Sequence, residues 1–226
     1  MREKLILSLA ALGTLLLVWD FNTIFLHLPD EALQGAIYRI IFIHVPAAIG
    51  AYVFYSVAVI TSAMFLVKKD FKYDSLAVAC VEVGATFTLV NLVTGSIWGR
   101  IIWGIWWTWD ARLTTQLICF LLYLGYLLLR PAVTEPTQRA TMSAILAIFA
   151  FADIPIVVMA IRLKNVRTQH PQPVLETGGL DPSFWPPLLI SFAAVLLIGT
   201  ALVLVRLHQE TSRREIDYLR RELHAL

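Results

Sequence analysis

Five of the seven tryptophans in this chain, Trp98, Trp103, Trp106, Trp107 and Trp109, fall within twelve residues. Single tryptophans at the ends of apolar runs, such as Trp19 and Trp185, are ordinary anchors at a membrane–water boundary. Anchoring does not account for five in one segment. On a helix, Trp103, Trp106 and Trp107 share a face through spacings of three and four, which predicts a flat apolar shelf. Large rigid rings bury much area at little conformational cost, so the chemistry such a shelf offers is the holding of a large planar ligand. Arg100 and Arg112 bracket the segment, and their guanidinium forks suit carboxylates on that ligand. Asp110 has two readings: it caps the helix that follows, as carboxylates at helix starts do, or it contributes to the ligand-binding segment.

Two histidines extend this chemistry. His44 lies in Ile-Phe-Ile-His-Val-Pro-Ala-Ala, and His170 stands beside Pro171 and Pro173. Taken singly, each is as readily a polar loop or interface residue. Flanking one aromatic shelf, they acquire a second reading, because neutral imidazoles ligate haem iron and two of them complete its axial coordination. Other chemistries find less support. Cys80 and Cys119 sit inside apolar runs with no C-x-x-C spacing, which predicts buried thiols packing as small apolar groups. There is no G-x-x-x-x-G-K loop to bind nucleotide, no H-E-x-x-H and no G-x-S-x-G, so no enzymatic activity is expected.

The elements that must position these residues are membrane spans. Of the 226 residues, 58% are apolar and 15% charged, with a mean hydropathy of +0.73. An ordinary soluble domain is nearer a quarter charged. Runs of roughly 20 apolar residues match the hydrocarbon layer, and six emerge, at about 5–25, 38–67, 75–97, 112–130, 140–162 and 186–207. The expected fold is therefore an all-α integral membrane protein with a six-span domain over 1–207. A charged, amphipathic tail helix occupies 208–226, with Ile216, Leu219, Leu223 and Leu226 at helical spacing. The first apolar stretch is longer than a signal-peptide core and lacks a small-x-small site after it, and is read as a retained span. Twelve of the 18 Lys and Arg residues fall on one side of these spans. By the positive-inside rule that side is cytoplasmic, with both termini, and the tryptophan-rich loop 98–111 forms a short interfacial segment on the outer face. Glu82, Asn91 and Asp153 lie within spans, either hydrogen-bonded between helices or lining a proton or substrate path. Gly95 and Gly99 form a G-x-x-x-G pair suited to close helix packing. No basic, aromatic-interleaved patch suggests nucleic acid, so membrane lipid is the expected surrounding.

Residues 103–114, Trp-Gly-Ile-Trp-Trp-Thr-Trp-Asp-Ala-Arg-Leu-Thr, resemble the tryptophan-rich "WWD" signature of haem-handling membrane proteins. Together with Ile-His-Val-Pro-Ala-Ala at 43–48, they are similar to the haem exporter protein C family (CcmC) of cytochrome c maturation, across essentially the whole chain. The resemblance implies non-covalent, transient binding of b-type haem at the periplasmic face of the bacterial inner membrane. It implies presentation of that haem to the chaperone CcmE, beside the ABC-type subunits CcmA and CcmB and the small protein CcmD. His44 matches the first axial-ligand histidine and His170 occupies the place of the second. Trp103, Trp106, Trp107, Trp109 and Asp110 match the haem- and chaperone-contacting segment, with Trp98 just before it; Arg100 and Arg112, which bracket these residues, are on their own chemistry the candidates for haem propionates. Around the second histidine, members carry aromatics and Leu-His-Gln, whereas this chain reads Val-Arg-Thr-Gln-His-Pro-Gln-Pro.

Two other classes compete. A membrane anchor that keeps its haem for electron transfer predicts two histidines deep in facing spans, and no span here has one near its middle. A permease for another solute would use Glu82 and Asp153 and leave the tryptophans unexplained.

Overall fold

The computed structural model describes residues 2–162, 170 and 180–224. The chain is an all-α bundle. Its helices are α1 (Arg2–Leu26), α2 (Ile41–Lys68), α3 (Phe71–Trp103), α4 (Ala111–Ala132), α5 (Pro136–Phe151), α6 (Asp153–Met159) and α7 (Trp185–His224), with a 3-10 turn, Ala36–Ile40, leading into α2. Six stretches among the described residues are long and apolar enough to cross a membrane, α5 and α6 together making the fifth. Most of the expected loop 163–185, including Lys164, Arg167, Pro171 and Pro173, lies outside the described residues.

Three boundaries differ from expectation in ways that matter for the site. Helix α3 does not stop near residue 97 but runs on to Trp103, where Gly104 takes a left-handed conformation (φ 77°) as its C-cap. Glycine adopts that conformation without a Cβ penalty, which is why it ends helices. Trp98 and Trp103 are therefore helical residues, and only 104–110 are a connection. The tail is not a separate helix either: α7 continues from Trp185 through the charged residues to His224. Finally, the fifth span is broken at Ala152, whose N–H bonds back to Phe149 in a tightened turn, three residues before Pro155, where a proline removes a helical donor.

Helices α2 and α3 form the centre of the bundle, with α4, α5 and α7 around them and α1 lying along α7. Close approach rests on small residues. A Cβ at Gly84 on α3 would fall 2.6 Å from Tyr55 Cε1, and the Tyr55 ring stacks on Tyr123 of α4 with centroids 3.5 Å apart. Asp20, fully buried in α1, accepts a hydrogen bond from Ser191 Oγ of α7 at 2.6 Å. Sequence reading passed over this intramembrane carboxyl, because its apolar neighbours hid it. Cys80 and Cys119 are buried free thiols.

The charged part of α7 is fastened to the bundle by ion pairs. Asp74 of α3 accepts from Arg130 of α4 at 2.8 and 2.9 Å and also from Arg214 of α7. Glu210 lies 3.5 Å from Arg130 and 3.2 Å from Arg214. One α7 turn earlier, Arg206 forks onto both carboxylate oxygens of Glu82. Of the two readings open for Glu82, the interhelical bond is the one observed. Asp70, exposed between α2 and α3, caps α3 through the N–H of Lys72, and its pairing with Lys72 holds its carboxyl below the usual range.

Candidate functional site

The His44 side chain sits in the first turns of α2 and points across to α3, where three residues hold it. Its Nδ1 is 3.0 Å from Thr94 Oγ1. The Thr94 hydroxyl donates its single hydrogen back to the carbonyls of Val90 (2.7 Å) and Asn91 (3.1 Å), so towards the imidazole it can only accept. Nδ1 therefore carries the proton, and the Nε2 lone pair is left available. Ligating histidines are commonly fixed in this way by a partner on the other ring nitrogen. Asn91 Nδ2 donates to the His44 carbonyl at 3.0 Å and lies nearly equidistant from both ring nitrogens, at 3.3 and 3.2 Å. Equidistance places it over the ring face rather than on either lone pair. The third residue is Gly95, where a Cβ would fall 2.9 Å from His44 Cε1. Gly95 thus gives room to an imidazole, not to a facing helix as the G-x-x-x-G spacing suggested. Gly99 does likewise for the indole of Trp103, 3.0 Å from where its Cβ would stand.

The two histidine rings approach each other with centroids 6.5 Å apart and planes 32° apart. Two imidazoles sharing one metal from opposite sides, at about 2 Å per bond and with each ring centre about 1.1 Å behind its nitrogen, stand roughly 6.2 Å apart. The observed separation fits that arrangement, and rotation about the metal–nitrogen bonds leaves the tilt free. No group of three or more His, Cys, Asp or Glu residues suited to a metal ion occurs among the described residues.

Both histidines open on a cavity of about 450 Å³ lined mainly by α2, α3 and α4, within the size range of small-molecule and cofactor sites. Its wall is mainly apolar. Three of the five clustered tryptophans, Trp98, Trp103 and Trp107, line it. Trp98 is fixed edge-on to Tyr38 and to His44, with centroids 5.8 and 5.7 Å away, and its Nε1 donates to Gln34 at 2.6 Å. The Trp107 Nε1 is buried without an acceptor.

The structure does not place the other two tryptophans on that wall. With α3 ending at Trp103, Trp106 and Trp107 fall in the connection, and the helical shelf expected from their spacing does not form. Trp106 and Trp109 are 60% and 76% exposed. Asp110 caps α4, accepting from the Leu113 N–H at 2.9 Å. The Arg100 side chain turns back to the Gly104 carbonyl and is exposed, and it is not part of the cavity wall. Arg112 is, with its guanidinium donating to the Val157 carbonyl at 3.1 Å. Sequence reading missed Arg162, Gln34, Tyr52 and Gln116 as lining residues. Arg162 is one of the six Lys and Arg residues that fall on the side opposite the twelve, a basic residue where the positive-inside rule expects few, and that is the signal that could have found it. Nothing in the sequence marks the other three.

A multi-span membrane bundle with an aromatic cavity and two apposed imidazoles is the class that fold and site define. The profile of the family described as "Heme exporter protein C" matches residues 1–222. Proteins of that name are similar over most of their length. That of Bradyrhizobium diazoefficiens is 41% identical over 200 residues, covering 88% of this chain and 73% of the relative. That of Paracoccus denitrificans is 35% identical over 205 residues (90% and 83%), and that of Escherichia coli K12 is 35% identical over 191 (84% and 75%). The chain belongs to the heme exporter protein C (CcmC) family. Membership gives it a haem-handling role in cytochrome c maturation, as a transport component rather than an enzyme.

Proposed function

We propose that the chain holds haem in this cavity, with His44 and His170 as axial ligands of the iron, and presents it at the periplasmic face of the inner membrane for transfer to a haem chaperone. The observation that carries this reading is the 6.5 Å approach of the two imidazoles beside Trp98. Haem supplies the iron and its equatorial nitrogens. The chain supplies orientation: Thr94 sets the His44 tautomer, Gly95 makes space for the ring, and Trp98, Trp103 and Trp107 offer apolar wall to a porphyrin. Arg112 stands ready for a propionate.

The same parts favour handover over storage. His44 is held between α2 and α3, whereas His170 comes from the segment between α6 and α7 rather than from a span, so only one of the two ligands belongs to the bundle itself. The exposed Trp106 and Trp109 give a docking chaperone such as CcmE rigid aromatic contacts beside the cavity, a common feature of interfaces. The distribution of basic residues supports a topology with both termini in the cytoplasm and the tryptophan segment outside. The chain contains no nucleotide-binding loop, so energy for a cycle would come from ATP-hydrolysing partners, the role assigned to CcmA with CcmB and CcmD beside it. Haem held by two imidazoles and apolar contacts is b-type, non-covalent and transient.

The test is purification of the full chain from cells making c-type cytochromes, with and without a chaperone variant that cannot pass haem on. Haem should co-purify, and more of it when the chaperone is blocked. Protein free of haem under both conditions would refute the reading.

A further inference from the structure

The intramembrane acid Asp153 plays no part in holding the histidines, yet its setting is not that of a packing residue. It opens α6 immediately after the break at Ala152 and is 9% exposed, and its Oδ2 has no hydrogen-bond partner. Two more buried polar atoms share that condition on α4. They are Gln116 Nε2 and the Tyr123 hydroxyl, in side chains 6% and 0% exposed. Gln116, Cys119 and Tyr123 follow one another at spacings of three and four, so they share the inner face of α4. Asp153 is within electrostatic reach of Cys119, Tyr123 and Tyr52, which sets it against that face, between the levels of Gln116 and Tyr123.

The three atoms together define their ligand. The amide nitrogen only donates, the carboxyl Oδ2 accepts, and the hydroxyl does both. A metal cation would meet the amide hydrogens and an anion would meet the acid. Water suits all three, and a buried water needs two to four such partners. The row of polar groups reaches the cavity, because Tyr52 donates to Gln116 Oε1 at 2.5 Å and both residues line it. In the other direction the row is closed. The Tyr55 ring stacks on Tyr123 with centroids 3.5 Å apart, and its hydroxyl is bonded to Thr88 at 3.0 Å.

Among the described residues, no cation stands within reach of Asp153. Helix α4 carries no charged residue between Arg112 and Arg130, and α5 none from Ala140 to Phe151. Arg112 itself is turned to the Val157 carbonyl. A carboxylate without a cation in such surroundings costs far more than a neutral acid, so Asp153 holds a proton.

We infer that Gln116, Tyr123 and Asp153 enclose a hydrated pocket beneath the cavity floor, where Asp153 keeps a proton that it exchanges with the cavity and releases when positive charge enters there. The step is the ionisation of one carboxyl, the proton passing over the water at Gln116 into the cavity. Tyr52 marks the level of the pocket, about 12 Å of helix below His44. A unit charge at that range in a protein interior changes a proton affinity by roughly tenfold. Ferric haem, with one net positive charge at its core, is such a charge, and this last link alone rests on the reading that the cavity takes haem.

The full chain in nanodiscs is followed by infrared spectroscopy in the C=O stretch of protonated carboxyls. Asp20 is a second buried acid, so the Asp153 band is taken as the difference between wild type and Asp153→Asn, which keeps size and shape. That band should be present at neutral pH and should shift in heavy water. Gln116→Leu should keep the band and slow its exchange about tenfold, the worth of one hydrogen bond to the water. Ferric haem should lower the band, whereas zinc protoporphyrin, which has the same propionates and a neutral core, should leave it unchanged. Absence of the band would mean an ionised Asp153 and would overturn the inference. Exchange as fast in Gln116→Leu as in the wild type would overturn the route through the cavity floor. Equal bands with the two porphyrins bound would overturn the response to charge. A chain that binds neither porphyrin refutes the haem reading, while the band and its exchange still decide the pocket.

Discussion

Gly95→Ala is expected to abolish haem retention while leaving α3 as stable as before or more so. In a helix interior, alanine is favoured over glycine by about 1 kcal/mol, so the backbone gains from the change. The new Cβ, however, would stand 2.9 Å from His44 Cε1, closer than side chains tolerate. The ring has nowhere to go. Thr94 holds its Nδ1, the Asn91 amide covers one face and Trp98 stands edge-on at 5.7 Å. Relief requires the imidazole to swing off Thr94, which misdirects Nε2 and frees the tautomer. Axial ligation falls off steeply with misplacement, so at least a tenfold loss of affinity is expected, of the order seen when a second-shell support of a metal ligand is removed (about 10–100-fold). Haem content after purification and thermal unfolding in detergent would be measured on the same preparation. A variant that keeps its haem shows that His44 does not need the space at Gly95. Loss of fold along with haem would show that Gly95 is a structural residue only.

Asp74→Ala is expected to give the largest loss of stability of any single change at the charged end of the bundle, about 3–5 kcal/mol, the usual cost of removing one partner of a buried ion pair. The Asp74 and Arg130 side chains are 2% and 9% exposed. Without the carboxylate, Arg130 keeps the long contact to Glu210 at 3.5 Å as its one acid partner, beside a long bond to the Tyr126 hydroxyl at 3.4 Å, and Arg214 loses one of its two acid partners. Since Arg214 belongs to α7, the charged turns of that helix should loosen together with the bundle. Cleavage by a protease in 208–224 should become faster in the same variant. Glu82→Ala makes the contrast. Its pair with Arg206 is 28% and 40% exposed, and solvent screening limits such pairs to about 1 kcal/mol or less. Equal destabilisation by the two substitutions would mean that burial does not set the strength of these pairs.

Much of this was legible in the sequence, for different reasons in each part. The spans follow from runs of apolar residues, because the bilayer fixes the length that a helix must cover. Helix ends were less legible. Apolar runs stop where the hydrocarbon stops, but α3 continues to Gly104 and α7 to His224, since a helix needs no lipid to persist in water. That difference dissolved the expected shelf: Trp103 stayed on the helix while Trp106 and Trp107 did not, so spacing of three and four had no helix to act on. His44 and His170 were nominated by residue type and by resemblance, and their apposition is a tertiary fact that no local pattern encodes. Tyr52 and Gln116 were invisible for the same reason. A glutamine in an apolar run says only that it needs a partner, not that its partner is 64 residues away on another helix. Gly95 and Gly99 were noticed, and their partners misjudged, because glycine spacing reports that something comes close without saying what.

The account stands or falls on two imidazoles meeting at one iron. The most direct measurement is low-temperature electron paramagnetic resonance of the ferric, haem-loaded full chain, for the wild type and for His44→Ala and His170→Ala. The wild type should be low-spin and six-coordinate. Each alanine variant should turn high-spin, and added imidazole should restore the low-spin signal. A low-spin signal unchanged in both variants would contradict the account, placing the iron on ligands other than these two histidines.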